Sequence, residues 1–139
     1  MPTRLPPLVS ADELAAAQND VRILDATTVL TVVAEGQPYT VTPGLPGYLA
    51  EHVPGAVFAD LSGALSDPQA RFAFALPTPE RFAAAAGALG VGDDTHVVAY
   101  DTGGGAWATR VWWMLRVFGH EAIKSATSTS PVPPPPPPP

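Results

Sequence analysis

Residues 96–123, HVVAYDTGGGAWATRVWWMLRVFGHEAI, decide how this chain folds. An apolar run, His96–Tyr100, ends in Asp101, and Thr102-Gly103-Gly104-Gly105 makes a tight bend. A nearly all-apolar helix is expected over Ala106–Phe118, closed by Gly119. Such a strand–loop–helix unit aims backbone N–H groups at whatever sits above Asp101. Trp107, Val111, Met114, Leu115 and Phe118 recur at helical spacing as one continuous stripe, with Trp112, Trp113 and Val117 widening it. A helix this apolar calls for a thick core or for an interface with another domain.

Working upstream, helix and strand signals alternate. Ser10-Ala11-Asp12-Glu13 is a capping box opening a helix to about Gln18. Val21–Asp25 is a short apolar strand. The Thr/Val-rich halves of Thr27–Thr42 flank Glu35-Gly36-Gln37-Pro38 and predict a β-hairpin excursion. Pro43, Gly44, Pro46 and Gly47 are expected to break regular structure, with a helical turn at Tyr48–Glu51. Ala56–Asp60 is another strand. Thr78-Pro79-Glu80 starts a helix that leaves through Gly90. The predicted order is α-β-(hairpin)-α-β-α-β-α, which implies an α/β fold with a mostly parallel central sheet flanked by helices.

Composition narrows function. The 139 residues suit one domain, and a net charge of −6 with scattered Lys and Arg speaks against a nucleic-acid binder. With no cysteine there can be no disulfide, thiolate metal site or thiol catalysis. His52, His96 and His120 lack short ligand spacing, so neither a metal nor a cofactor is expected. No signal peptide or membrane-spanning run is apparent, and a cytoplasmic protein with no membrane partner is the expectation. After Ile123 the chain becomes KSATSTSPVPPPPPPP. The domain is therefore expected over residues 1–123, with residues 124–139 an extended Ser/Thr/Pro-rich tail.

Several blocks together resemble one family: Ile23-Leu24-Asp25-Ala26-Thr27; His52-Val53-Pro54-Gly55-Ala56 with Phe58 and Asp60; Leu89-Gly90-Val91; Thr95–Asp101; and Arg110–His120, which holds the Arg-Val-Trp-Trp and Phe-Gly-His motifs. The chain from about Leu8 to Ile123 is similar to the N-terminal, non-catalytic domain of tandem-domain rhodaneses, the thiosulfate and 3-mercaptopyruvate sulfurtransferases. The resemblance implies a rhodanese-like fold in which Asp101 stands where the catalytic version carries its cysteine. It also implies that His52 and Arg110 lie near an interdomain cleft, and that the partner is a catalytic rhodanese domain. Family members continue past Ile123 into another strand and a closing helix. Their apparent replacement by the tail predicts a truncated sheet, marginal stability and self-association, in a fragment or the product of a disrupted reading frame.

No catalytic residue is expected in this chain. Sulfur transfer needs a thiolate to carry sulfane sulfur, and a carboxylate at Asp101 is a poor nucleophile that would repel thiosulfate. Asp101 reads as a turn acid that accepts N–H bonds from the glycine loop. Arg110 and Arg116 read as snorkelling residues, and Asp25 and Asp60 as caps of their strand ends. Asp101-Thr102-Gly103 matches the aspartic-protease triplet, but that chemistry needs paired carboxylates in an all-β fold. Gly103–Gly105 lacks the Lys-Ser/Thr of a Walker loop. The alternative function is a non-catalytic rhodanese-like binding or regulatory module whose proline tail docks into aromatic grooves.

Overall fold

A computed structural model describes residues 8–31, 34–36, 40–70, 74–92, 94–119 and 123–126. The elements run β1 (Leu8–Val9), α1 (Ala11–Ala17), β2 (Arg22–Asp25), β3 (Thr28–Thr31), β4 (Thr40–Pro43), α2 (Leu45–Ala50), β5 (Val57–Phe58), α3 (Pro79–Ala88), β6 (Val97–Tyr100), α4 (Ala106–Val117) and β7 (Ile123–Ala126). Five strands form a sheet in the order β1-β7-β6-β2-β5, every pair parallel. The hairpin excursion is a separate antiparallel ribbon of β3 and β4, in register from Thr28↔Pro43 to Thr31↔Thr40.

Strand periodicity divides the core. Leu24, Val97 and Ala99 point to one face and pack with Phe82 and Ala86 of α3 and Val111, Met114 and Leu115 of α4. Ile23, Val98 and Tyr100 point to the other, against Leu14 and Ala17 of α1 and the Val53–Ala56 segment. All four residues of β6 are buried, as a central parallel strand covered on both faces requires. The helix punctuation follows the sequence. Ser10 Oγ accepts the Glu13 N–H at 3.1 Å while Glu13 Oε1 accepts the Ser10 N–H at 3.0 Å. Thr78 caps α3, and Gly90 leaves it at φ +85°.

Three local expectations are corrected. The strand said to be missing after Ile123 is present: β7 lies between β6 and β1, pairing Val97↔Ile123 on one side and Leu8↔Ser125 on the other. The Ile-Lys-Ser-Ala run has no strong strand signal of its own, but a position inside the sheet supplies ladder partners on both edges. The vacant strand position that motivated the expectation of self-association is thus filled. Residues 127–139, including the proline run, lie outside the described residues, as does His120. Second, Pro46 and Gly47 do not prevent a helix: α2 begins at Leu45, because a proline in the first turn gives up an N–H that has no helical partner anyway. Third, the Ala56–Asp60 strand shortens to Val57–Phe58.

On α4, Val111, Met114 and Leu115 are buried, whereas Trp113 and Val117 keep 42% and 47% of their surface. The Arg110 guanidinium lies 5.2 Å from the Trp113 ring centroid, and that of Arg116 5.1 Å from Trp112. The arginines thus cover tryptophan faces as well as reaching outward. Arg110 Nη2 donates to the Phe74 carbonyl, while its Nε is buried with no partner among the described residues. Desolvation lowers its pKa from the ordinary value.

Two contacts place α2 over the ends of β2 and β6. Gly44 N–H donates to the Thr27 carbonyl at 2.9 Å, an approach that leaves no room for a side chain, since a Cβ would sit 2.6 Å from that oxygen. Val53 N–H donates to Tyr100 Oη at 3.1 Å, and Tyr100 is 2% exposed. Burial, with the nearby Asp25 carboxylate, pushes the Tyr100 pKa well above its ordinary 10.0, against the opposing pull of the Val53 N–H. The folded state therefore holds this proton more tightly than the unfolded chain. That contribution is complete below about pH 10 and is lost as pH rises further. Tyr100→Phe is expected to strand the Val53 N–H and cost about 1–3 kcal/mol in urea unfolding. It should also flatten the decline in stability above pH 10, measured by the same unfolding experiment across pH.

Candidate functional site

At the end of β6 the chain turns through Thr102–Gly105, with Gly104 and Gly105 at φ +105° and +99°, into α4. Few residues other than glycine accept that conformation. Asp101 is fully buried at the centre of the turn. Its Oδ1 accepts the N–H groups of Gly103 at 2.7 Å and Gly105 at 2.9 Å, and its Oδ2 accepts that of Ala108 at 2.8 Å. Gly105, at the N-cap, brings no side chain to cap the helix, so Asp101 does that work from outside. Its charge also sits at the positive end of α4. Three of the N–H groups expected to point above Asp101 are thus gathered by the Asp101 carboxylate itself. Those three are engaged and are not open to an anion.

Beside the loop, a cleft of about 320 Å³ opens at the C-terminal ends of β2 and β6. Asp25, Thr27, Tyr100 and Thr102 contribute from the strand ends, and Tyr48 and His52 from α2 and the turn after it. Thr102 N–H donates to Thr27 Oγ1 at 3.1 Å and ties the two strand ends together. Asp25 is 2% exposed and accepts the Thr27 N–H on Oδ1 at 2.9 Å. His52 stacks on Tyr48 with ring centroids 3.9 Å apart, its Nδ1 2.6 Å from the Tyr48 carbonyl. A carbonyl only accepts, so Nδ1 carries the proton, and in the neutral ring Nε2 is an acceptor.

The residues singled out from sequence fall on two sides of the domain. Thr102 joins the loop to the cleft, and His52 lines the cleft. Arg110 does not; it reaches Phe74, on the side where Phe74 packs against Trp107. Asp60 caps its own turn, accepting from the N–H and Oγ of Ser62. Tyr48, Thr27 and Tyr100 were not foreseen as lining residues, nor was the Asp25 carboxylate at the cleft. The available signal was positional: β2 and β6 both end in or just before an acid, and crevices in parallel sheets open at carboxyl strand ends. Among the described residues no three His, Asp or Glu side chains gather in a way that could hold a metal ion, and no helix is long and apolar enough to cross a membrane.

The sequence matches the family model described as "Rhodanese-like domain" over residues 10–126. It is 41% identical over 119 residues to the mitochondrial thiosulfate/3-mercaptopyruvate sulfurtransferase 1 of Arabidopsis thaliana, covering 84% of this chain and 29% of that protein. It is 50% identical over 76 residues to the 3-mercaptopyruvate sulfurtransferase of Escherichia coli K12, covering 55% of this chain and 27% of the relative. The chain thus spans under a third of the length of these curated relatives. Among solved structures, the rhodanese-fold 3-mercaptopyruvate sulfotransferase from Escherichia coli superposes with a TM-score of 0.72 at 39% identity, over 86% of this chain and 44% of that one. The 3-mercaptopyruvate sulfurtransferase from Leishmania major gives 0.70 at 27% identity, over 86% and 31%. A parallel sheet with helices on both faces, a glycine loop opening a Trp-rich helix and a family match across nearly the whole domain place this chain in the rhodanese-like domain family.

Proposed function

We propose that this chain is a non-catalytic rhodanese-like domain that works alongside a cysteine-bearing sulfurtransferase domain and does not itself transfer sulfur. The observation that carries this reading is the Asp101 carboxylate, buried in the loop and held by three backbone N–H groups. Sulfane-sulfur chemistry needs a nucleophilic thiolate and free N–H donors for the charge it acquires. Here the thiolate is missing from the whole sequence, and the loop donors hold a carboxylate. Relatives named for thiosulfate and 3-mercaptopyruvate are more than three times as long as the matched region, leaving room in them for a second domain. In this reading the partner is a catalytic rhodanese domain. The alternative of a free-standing binding module rests on its proline tail, outside the described residues.

Purified protein is expected to show no transfer of sulfur from thiosulfate or 3-mercaptopyruvate to cyanide above the uncatalysed rate. Turnover by a preparation shown to be free of other sulfurtransferases would overturn the proposal. The loop makes a second, independent prediction. Asp101→Ala removes the acceptor of three N–H groups and should lower unfolding free energy by at least about 2 kcal/mol. Asp101→Asn keeps one oxygen but turns an amide toward one set of donors, and should fall between the two. Chemical denaturation of the three proteins checks that order.

A further inference from the structure

The cleft beside the loop has a position and a charge that the non-catalytic reading does not use. After β2 the chain crosses the sheet face that carries α1 and α2 to reach β5. After β6 it crosses the opposite face, through α4, to reach β7. The β2 and β6 ends are therefore neighbours whose outgoing connections diverge, which is where open parallel sheets hold ligands. The cleft at that point, about 320 Å³, has the size of a small ligand site.

Its chemistry is one-sided. Asp25, buried at the strand ends, and Glu51, at the mouth, are carboxylates, and among the described residues no Lys or Arg lines the cleft. Asp25 receives one backbone N–H and interacts with the Tyr100 phenol, and no arginine pairs with it among the described residues. His52 spends its Nδ1 proton on the Tyr48 carbonyl and has an acceptor left. The Tyr48 ring supplies a π surface, and Thr27 and Thr102 supply hydroxyls. A buried carboxylate without a countercharge is costly, and a cation that enters supplies one in a setting where water screens weakly.

We propose that this cleft binds an ammonium or guanidinium group, from a small organic amine or from a lysine or arginine side chain of a partner protein. The cation contacts the Asp25 carboxylate, with Glu51 and the His52 acceptor at the mouth and Tyr48 as a cation–π wall. The same charges disfavour thiosulfate, so the site is distinct in ligand class from a sulfur-donor pocket. The inference needs only the cleft, and it stands whether or not the domain is catalytically silent.

Methylguanidinium and n-butylamine serve as free probes, N-acetyl-arginine-amide and N-acetyl-lysine-amide as side-chain probes, and thiosulfate as the anion control, each titrated into the full chain and followed by NMR shifts. Saturable, salt-weakened binding is expected, with shifts at Thr27, Glu51, His52 and Thr102. Preference for the blocked residues points to a protein partner, and preference for the free probes to a small amine. Asp25→Asn should weaken binding at least about tenfold. Glu51→Lys, on the exposed rim where folding is not at stake, should weaken it severalfold and decides the matter if the Asp25 variant does not fold. No saturable binding of any cation, equal affinity in wild type and Glu51→Lys, or thiosulfate binding in the cleft would overturn the proposal.

Discussion

One carboxylate, that of Asp101, holds the central strand, the glycine loop and the tryptophan helix in a single geometry. A helix N-terminus leaves its first N–H groups without helical partners, and a buried N–H left unpaired is costly. Here the residue before the loop reaches forward across it: one oxygen takes Gly103 and Gly105, the other Ala108 in the first turn of α4. These bonds fix the angle at which α4 leaves β6. That angle lays Val111, Met114 and Leu115 onto Leu24, Val97 and Ala99. The apolar helix could not pack on the sheet as it does if the turn were free to open.

The other face depends on a smaller set of polar anchors. Tyr100 belongs to the second core cluster, and its hydroxyl receives the Val53 N–H. Gly44 gives up side-chain volume so that its N–H can reach the Thr27 carbonyl. Between them these contacts hang α2 over the strand ends and leave a space beneath it. The β3–β4 ribbon lies on the same connection but joins no strand of the main sheet. The cleft is thus bounded by the strand ends on one side and by the short helix that follows the ribbon on the other.

Much of this was legible in the sequence because local signals and tertiary structure agree. Ser10 with Glu13, Thr78 with Pro79, and Gly90 each state a helix boundary in the chemistry of one or two side chains. The alternation of apolar runs states the layered α/β architecture. The loop acid was legible in type, since a turn aspartate takes N–H bonds; its full embrace of three donors was not, because Ala108 is brought in only by the helix. Strand β7 escaped for the opposite reason. Ile123-Lys124-Ser125-Ala126 has little preference of its own, and its place comes from the ladders of β1 and β6. The cleft escaped because Asp25, Tyr48 and Thr102 are far apart in sequence and meet only through topology.

The loop and the cleft are adjacent, and their electrostatics are coupled by what stands at position 101. A side chain without a charge at this position would leave the loop N–H groups and the positive end of α4 open to an anion. With aspartate there, three of those donors, Gly103, Gly105 and Ala108, meet a fixed negative charge inside the loop. The strand ends then carry Asp101, Asp25 and, at the rim, Glu51, and among the described residues no basic side chain lines the cleft between them. The fold tolerates this buried carboxylate because three backbone N–H groups bond it. Asp101 thus adds to a negative charge that Asp25 and Glu51 already give this end of the sheet.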